Sequence, residues 1–153
     1  YSYSYSYSCS PNNPHSQRSK APAMFDHEKL DGYRLAIEFV AWVAGIVNEI
    51  PKKGRASATK HLDESSTSVA LNIAEGNGKR SIPDRVRFLD ISRGSALECA
   101  ACLDVLVARR LVAVERIIEG KRTLVRIVSV LTKLIERLLS HSSTSTSTST
   151  STS

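Results

Sequence analysis

The residues best equipped for chemistry lie between positions 72 and 102. Asn72-Ile73-Ala74-Glu75-Gly76-Asn77-Gly78-Lys79-Arg80-Ser81 gathers glycines, a lysine and a hydroxyl, the ingredients of a phosphate-binding loop. That loop requires Gly-x-x-x-x-Gly-Lys followed by Ser or Thr, set between a strand and a helix. Here Ile73 and Arg80 occupy the required glycine and hydroxyl positions, and a helical pattern precedes the stretch. It reads instead as a helix end, a basic turn and the next helix start. Lys79 and Arg80 could touch phosphate there, or simply offset the negative end of the helix. Glu75, Arg93 and Glu98 could act as an acid/base group, but a structural network of paired charges is the preferred reading, because buried charges must be paired. Cys99 and Cys102 make a single C-x-x-C, half of what a zinc site needs. His27, His61 and His141 are scattered, so the cysteines read as small core residues. No nucleophile–base arrangement and no Glu-x-x-His of di-iron bundles occurs. The chemistry expected is therefore none: no enzyme, no metal and no cofactor.

Four helical patterns carry these residues, and no strand pattern is convincing. The first runs from about Asp26 or Leu30 to Ile50, with Leu30, Tyr33, Ile37, Val40, Ala41, Ala44 and Val47 as its expected core stripe. Pro51 and Gly54 end it. The second spans about Ser57 to Asn77, with Ala58, Leu62, Val69 and Ile73 inward and Ser65, Ser66 and Ser68 filling gaps. Gly76 and Gly78 are expected to close it in a left-handed cap. The third opens on Ser81 as N-cap, with Pro83 in its first turn and Asp84 on the positive helix end, and reaches about Arg109. Within it Gly94, Ser95 and Ala96 are expected to admit a neighbouring helix closely. The fourth runs from about Val114 to Ser140, with Ile117, Leu124, Val128, Leu131, Ile135 and Leu138 inward and Gly120 near its start. Short connections favour antiparallel neighbours, so the pattern predicts an all-α, up-down-up-down four-helix bundle.

The ends differ from the middle. Tyr1–Ser8 is a Tyr-Ser repeat and the C-terminus alternates Ser and Thr, so residues 1–23 and 142–153 are expected to be disordered around a 24–141 domain. Met24 is the only methionine, so residues 1–23 read as lying upstream of the true start or as a dispensable tail. The longest apolar run, Phe39–Val47, is far short of the roughly 20 residues that span a bilayer. No secretory signal is visible, and three cysteines are too few for a disulfide scaffold, so the expected setting is the cytoplasm.

Twenty-one Lys and Arg against fifteen Asp and Glu give a net charge of +6, which permits an anionic partner without requiring one. The cations cluster at the 52–55 loop (Lys52, Lys53, Arg55), the 79–87 turn (Lys79, Arg80, Arg85, Arg87) and the 109–126 segment (Arg109, Arg110, Arg122, Arg126). These are the candidate nucleic-acid contacts. A second apolar stripe on the first helix, Leu35, Phe39, Trp42, Ile46 and Ile50, exceeds the need of one core and reads as a subunit interface.

Two ordered motifs, Ser68-Val69-x-x-Asn72-Ile73-Ala74-Glu75-Gly76-x-Gly78-Lys79-x-Ser81 and Arg87-Phe88-Leu89-x-Ile91-x-Arg93-Gly94-Ser95-x-x-Glu98, resemble the bacterial 23S rRNA intervening-sequence protein family, also called four helix bundle proteins. The resemblance covers about residues 25–140. It implies an antiparallel four-helix bundle that assembles into pentameric rings. It also implies a link to RNA, or, through a related branch, to the reverse transcriptase of diversity-generating retroelements. Asp63 and Glu64 stand where members often carry a basic pair, and Ala70 replaces a frequent proline. Two functions follow as expectations: an oligomer that binds RNA or a ribonucleoprotein, and a protein-interaction scaffold whose charges are solvated faces.

Overall fold

The computed structural model describes residues 24–51 and 57–144. A single 3-10 turn at Asp26–Lys29 leads into α1 (Asp31–Glu49), followed by α2 (Ser57–Gly78), α3 (Ile82–Ala108) and α4 (Val114–Thr144). Each helix packs on its chain neighbours and α4 closes on α1, while among the described residues the backbones of diagonal helices stay apart. This is the up-down-up-down bundle the helical periods predict. Among the described residues there is no strand. The expectations for residues 1–23 and 145–153 lie outside the described residues, and α4 runs to Thr144, past the expected boundary at His141.

Local chemistry sets the helix ends. Ser81 caps α3: its Oγ accepts from Asp84 N–H at 3.2 Å, Pro83 needs no donor in the first turn, and Asp84 sits on the positive end. The other end of α3 is less expected. Arg110 adopts φ 56°, its N–H donates to Val107 C=O at 2.8 Å, and Leu111 N–H donates to Leu106 C=O at 3.0 Å. That is a Schellman closure carried by an arginine where glycine is usual. By contrast, no described glycine has positive φ, so the left-handed cap expected of Gly76 and Gly78 does not form.

The core corrects the reading of α1. Leu35, Phe39, Ile46 and Ile50 are buried inside the protomer, and Trp42 packs half-buried against them, while Ile37, Ala41 and Ala44 of the expected core stripe are exposed. The proposed interface stripe of Leu35, Phe39, Trp42 and Ile46 is therefore the inward face. α1 is apolar nearly all round, and periodicity alone does not say which side turns in. Phe39 then stacks on Trp42 with centroids 5.6 Å apart, and Leu62, Ile73, Leu103, Leu106, Ile127 and Leu131 complete the interior. Fully burying a side chain of this size stabilises by roughly 1.5–3 kcal/mol.

Gly120 is set by packing. It is buried inside α4, and a Cβ there would lie 2.3 Å from Trp42 Cη2. The indole occupies the space a side chain would need.

Candidate nucleic-acid interface

α2 and α3 form the tightest pair in the bundle, and small residues explain why. Ser65, Ser66, Val69 and Gly76 of α2 and Ser92, Ala96 and Cys99 of α3 are all buried. A Cβ on Gly76 would come within 3.0 Å of Phe88 Cβ and 3.3 Å of the Arg85 carbonyl oxygen, so the glycine permits the close approach. The backbones are near enough for buried Ser92 Oγ to donate across to Val69 C=O at 2.8 Å. Beside it runs a directed chain. Asn72 Nδ2 donates to Ser68 Oγ at 3.0 Å, Ser68 Oγ lies 2.9 Å from Ser95 Oγ, and Ser95 Oγ donates to Ile91 C=O at 3.1 Å. Asn72 Nδ2 also donates to Ser68 C=O at 2.8 Å. Ser68, Asn72, Gly76 and Ser95 thus build the α2–α3 seam.

Gly94 departs from its expected role. It faces solvent with nothing within 4 Å of an added Cβ, while Ser95 and Ala96 make the helix contact. Arg93 also differs from expectation. Its Nη2 pairs with Asp90 Oδ1 at 2.9 Å, i,i+3 on its own helix, with both side chains near half exposure. Neither Glu75 nor Glu98 is its partner, so the three residues do not assemble into one group.

The basic turn is a structural clamp. Lys79 Nζ pairs with Glu75 Oε1 at 3.0 Å and sits 4.6 Å from the Phe88 ring centroid, while Arg87 Cζ lies 4.9 Å from the same centroid. Two cations against one ring contribute cation–π attraction of about 0.5–1 kcal/mol each at exposed sites. Arg85 Nη2 donates to Asn77 Oδ1 at 3.3 Å across the Gly78 turn, and its buried Nε has no hydrogen-bond partner. Only Arg80 among these turn cations has no side-chain hydrogen bond, ion pair or ring contact among the described residues, and it is exposed.

The candidate contacts do not form one patch. Lys79, Arg80, Arg85 and Arg87 sit at one end of the bundle and Arg109 and Arg110 at the other, separated by the length of α3, about 40 Å. Arg122 and Arg126 lie along the side of α4. Lys52, Lys53 and Arg55 lie outside the described residues. Neighbouring cations are compensated: Arg116 is held bidentately by Glu49, and Lys121 by Asp104. Arg122 and Arg126 have no carboxylate partner among the described residues, and the same holds for Lys133 and Arg137 farther along α4. Lys133 shares the outer stripe of Arg122 and Arg126 in the sequence, but neither it nor Arg137 stands among the candidate contacts. Their i+7 and i+11 spacing from Arg126 was the signal that could have found them.

The cysteines are packing residues. Burial, then the neighbouring Cys102 and Glu98, pushes the Cys99 thiol from 9.0 up to about 12, and burial with Glu98 also raises Cys102. Both stay neutral thiols near pH 7. Among the described residues, no group of three or more His, Cys, Asp or Glu could hold a metal ion. No described helix is long and apolar enough to cross a membrane.

These features define an all-α four-helix bundle with a serine-rich central seam and dispersed surface cations. The profile of the 23S rRNA-intervening sequence protein family matches residues 28–133, and the chain belongs to that family. Its fold is similar to a crystal structure of a protein of unknown function from the S23 ribosomal protein family of Bacteroides thetaiotaomicron. That similarity has a TM-score of 0.64 at 20 % identity, covering 68 % of this chain and 97 % of the other. A search of curated proteins finds no match.

Proposed function

We propose that the protein is a non-enzymatic, cytoplasmic homo-oligomer that binds RNA, or an RNA within a ribonucleoprotein, through phosphate contacts. The observation that carries this reading is a set of exposed cations without carboxylate partners among the described residues, among them Arg80, Arg109, Arg110, Arg122, Arg126, Lys133 and Arg137. Membership in a family described by its link to 23S rRNA supports the choice of polyanion. The contacts read backbone and not bases, because none of these residues stands beside an exposed aromatic platform. The test is fluorescence anisotropy of the full chain with a labelled RNA hairpin at rising salt. Binding at 50 mM salt that weakens steeply by 200 mM fits the reading. Absence of binding at the lower salt, where electrostatics are exaggerated, removes it.

Self-association needs a face other than the buried α1 stripe. The outer side of α3 supplies one: Ile91, Gly94, Leu97, Ala101 and Val105 are all exposed, and Ile91, Gly94, Glu98, Ala101, Val105 and Ala108 follow 3–4 helical spacing. A solvent-facing helix glycine with open space above it lets a second backbone come close. Five copies is the number the family resemblance implies, and a ring would repeat each weak phosphate contact and add avidity. Service to a reverse transcriptase of a diversity-generating retroelement is the alternative, favoured by the same apolar face as a protein-docking surface.

A further inference from the structure

We propose that one helix edge, formed by Arg122, Arg126, Lys133 and Arg137 of α4, is the track on which the phosphodiester backbone of an RNA strand lies. The inference rests on the RNA-binding reading and gives it a location. The four residues are spaced 4, 7 and 4 apart, which keeps them on one side of a straight helix. At 1.5 Å per residue they extend over about 22 Å, long enough to meet several consecutive phosphates of one strand. All four are exposed. None is paired with a carboxylate of the described residues.

Ion pairing elsewhere sets this edge apart. Lys60, Lys79, Arg93, Arg116 and Lys121 each have a carboxylate partner, so their charge is already offset. Along the edge, Ser129 fills the middle and its hydroxyl is turned back to Val125 C=O at 2.8 Å, so no acid interrupts the row from Arg122 to Lys133. Glu119 stands before the row, and Glu136 flanks it between Lys133 and Arg137 on an adjacent side of the helix. The row ends at a recess of about 350 Å³, where Lys133 and Arg137 of α4 face Lys29 across Leu30 and Gly32, with Asp31 on its wall. Asp31 and Glu38 of α1 border the adjoining groove beside Arg126, which confines a polyanion to the outer edge of α4.

The probe is a labelled 20-nucleotide oligouridylate, titrated with full-length protein at several salt concentrations. A triple variant, Arg126→Gln, Lys133→Gln and Arg137→Gln, should weaken binding at 50 mM salt at least tenfold. It should flatten the slope of log K against log salt by about 2, at about 0.7 per lost single-strand contact. The charge-preserving set Arg126→Lys, Lys133→Arg and Arg137→Lys should keep the wild-type slope, and far-UV circular dichroism checks that both fold. If wild type binds and the Gln variant matches it, the track is wrong while the RNA reading stands. If an Arg80→Gln, Arg109→Gln and Arg110→Gln variant takes the slope instead, the contact lies at the bundle ends and the track is again wrong. A poly-L-glutamate of equal charge that binds more tightly than the RNA would assign the edge to an acidic protein and overturn the proposal. Wild type that fails to bind at low salt removes the RNA reading and the track together.

Discussion

The Trp42 indole lies where a side chain on Gly120 would stand, with Cη2 2.3 Å from the site of a Cβ. The contact packs α1 against α4 beside the Arg116–Glu49 ion pair and holds Trp42 on the inward face of α1. Gly120→Ala should therefore destabilise the bundle by up to about 2 kcal/mol, since overpacking costs roughly 1–3 kcal/mol and helix propensity returns about 1. In a Trp42→Leu background the same substitution should turn neutral or stabilising. Urea denaturation of the four proteins reads the change of sign. An unchanged cost in both backgrounds would contradict the contact.

Gly76 and Gly94 should respond in opposite ways. Gly76→Ala meets Phe88 Cβ at 3.0 Å and a backbone carbonyl at 3.3 Å, and should cost up to about 2 kcal/mol once the gain in helix propensity is subtracted. Gly94→Ala enters open space and should raise protomer stability by up to about 1 kcal/mol. If α3 packs on a second copy, Ala101→Glu should yield smaller particles by light scattering while helicity persists. A wild-type chain that runs as a monomer at micromolar concentration would remove the self-association proposal.

Arg110 stores local strain. Arg110→Gly relieves a left-handed conformation that costs a side-chain-bearing residue about 1–2 kcal/mol, partly offset by the greater freedom of glycine in the unfolded chain. A net gain of about 0.5–1 kcal/mol is expected in thermal or urea unfolding.

Alkaline pH should weaken the fold through Cys99. Its folded thiol titrates near 12 while the unfolded one titrates near 9, so the contribution is complete below about pH 9. Above that, the unfolded state loses its proton first, and stability falls as pH rises from about 9 toward 12. Cys99→Ala should show a shallower decline over that window, and native Cys99 should resist iodoacetamide at pH 8.

The helices were legible in the sequence because their ends carry explicit signals: Pro51, Ser81 with Asp84, and short polar connections. The α2–α3 motif was legible as a pattern but not as a seam, since Ser68 and Ser95 are 27 residues apart and only the fold brings their hydroxyls together. The inward face of α1 was not legible, because both of its stripes are apolar and the choice is made by packing against the other three helices, which includes room for the Trp42 indole at Gly120. The basic sites were half legible. Charge can be counted along a chain, but the carboxylates that neutralise Lys121 and Arg116 come from α3 and α1.

Lysine acetylation footprinting by mass spectrometry, with and without the oligouridylate, tests the account most directly. RNA lying along α4 should shield Lys133 severalfold while leaving Lys60 on α2 and the already paired Lys79 unchanged. Equal reactivity of Lys133 in the two states, or protection confined to Lys60 or Lys79, would contradict it.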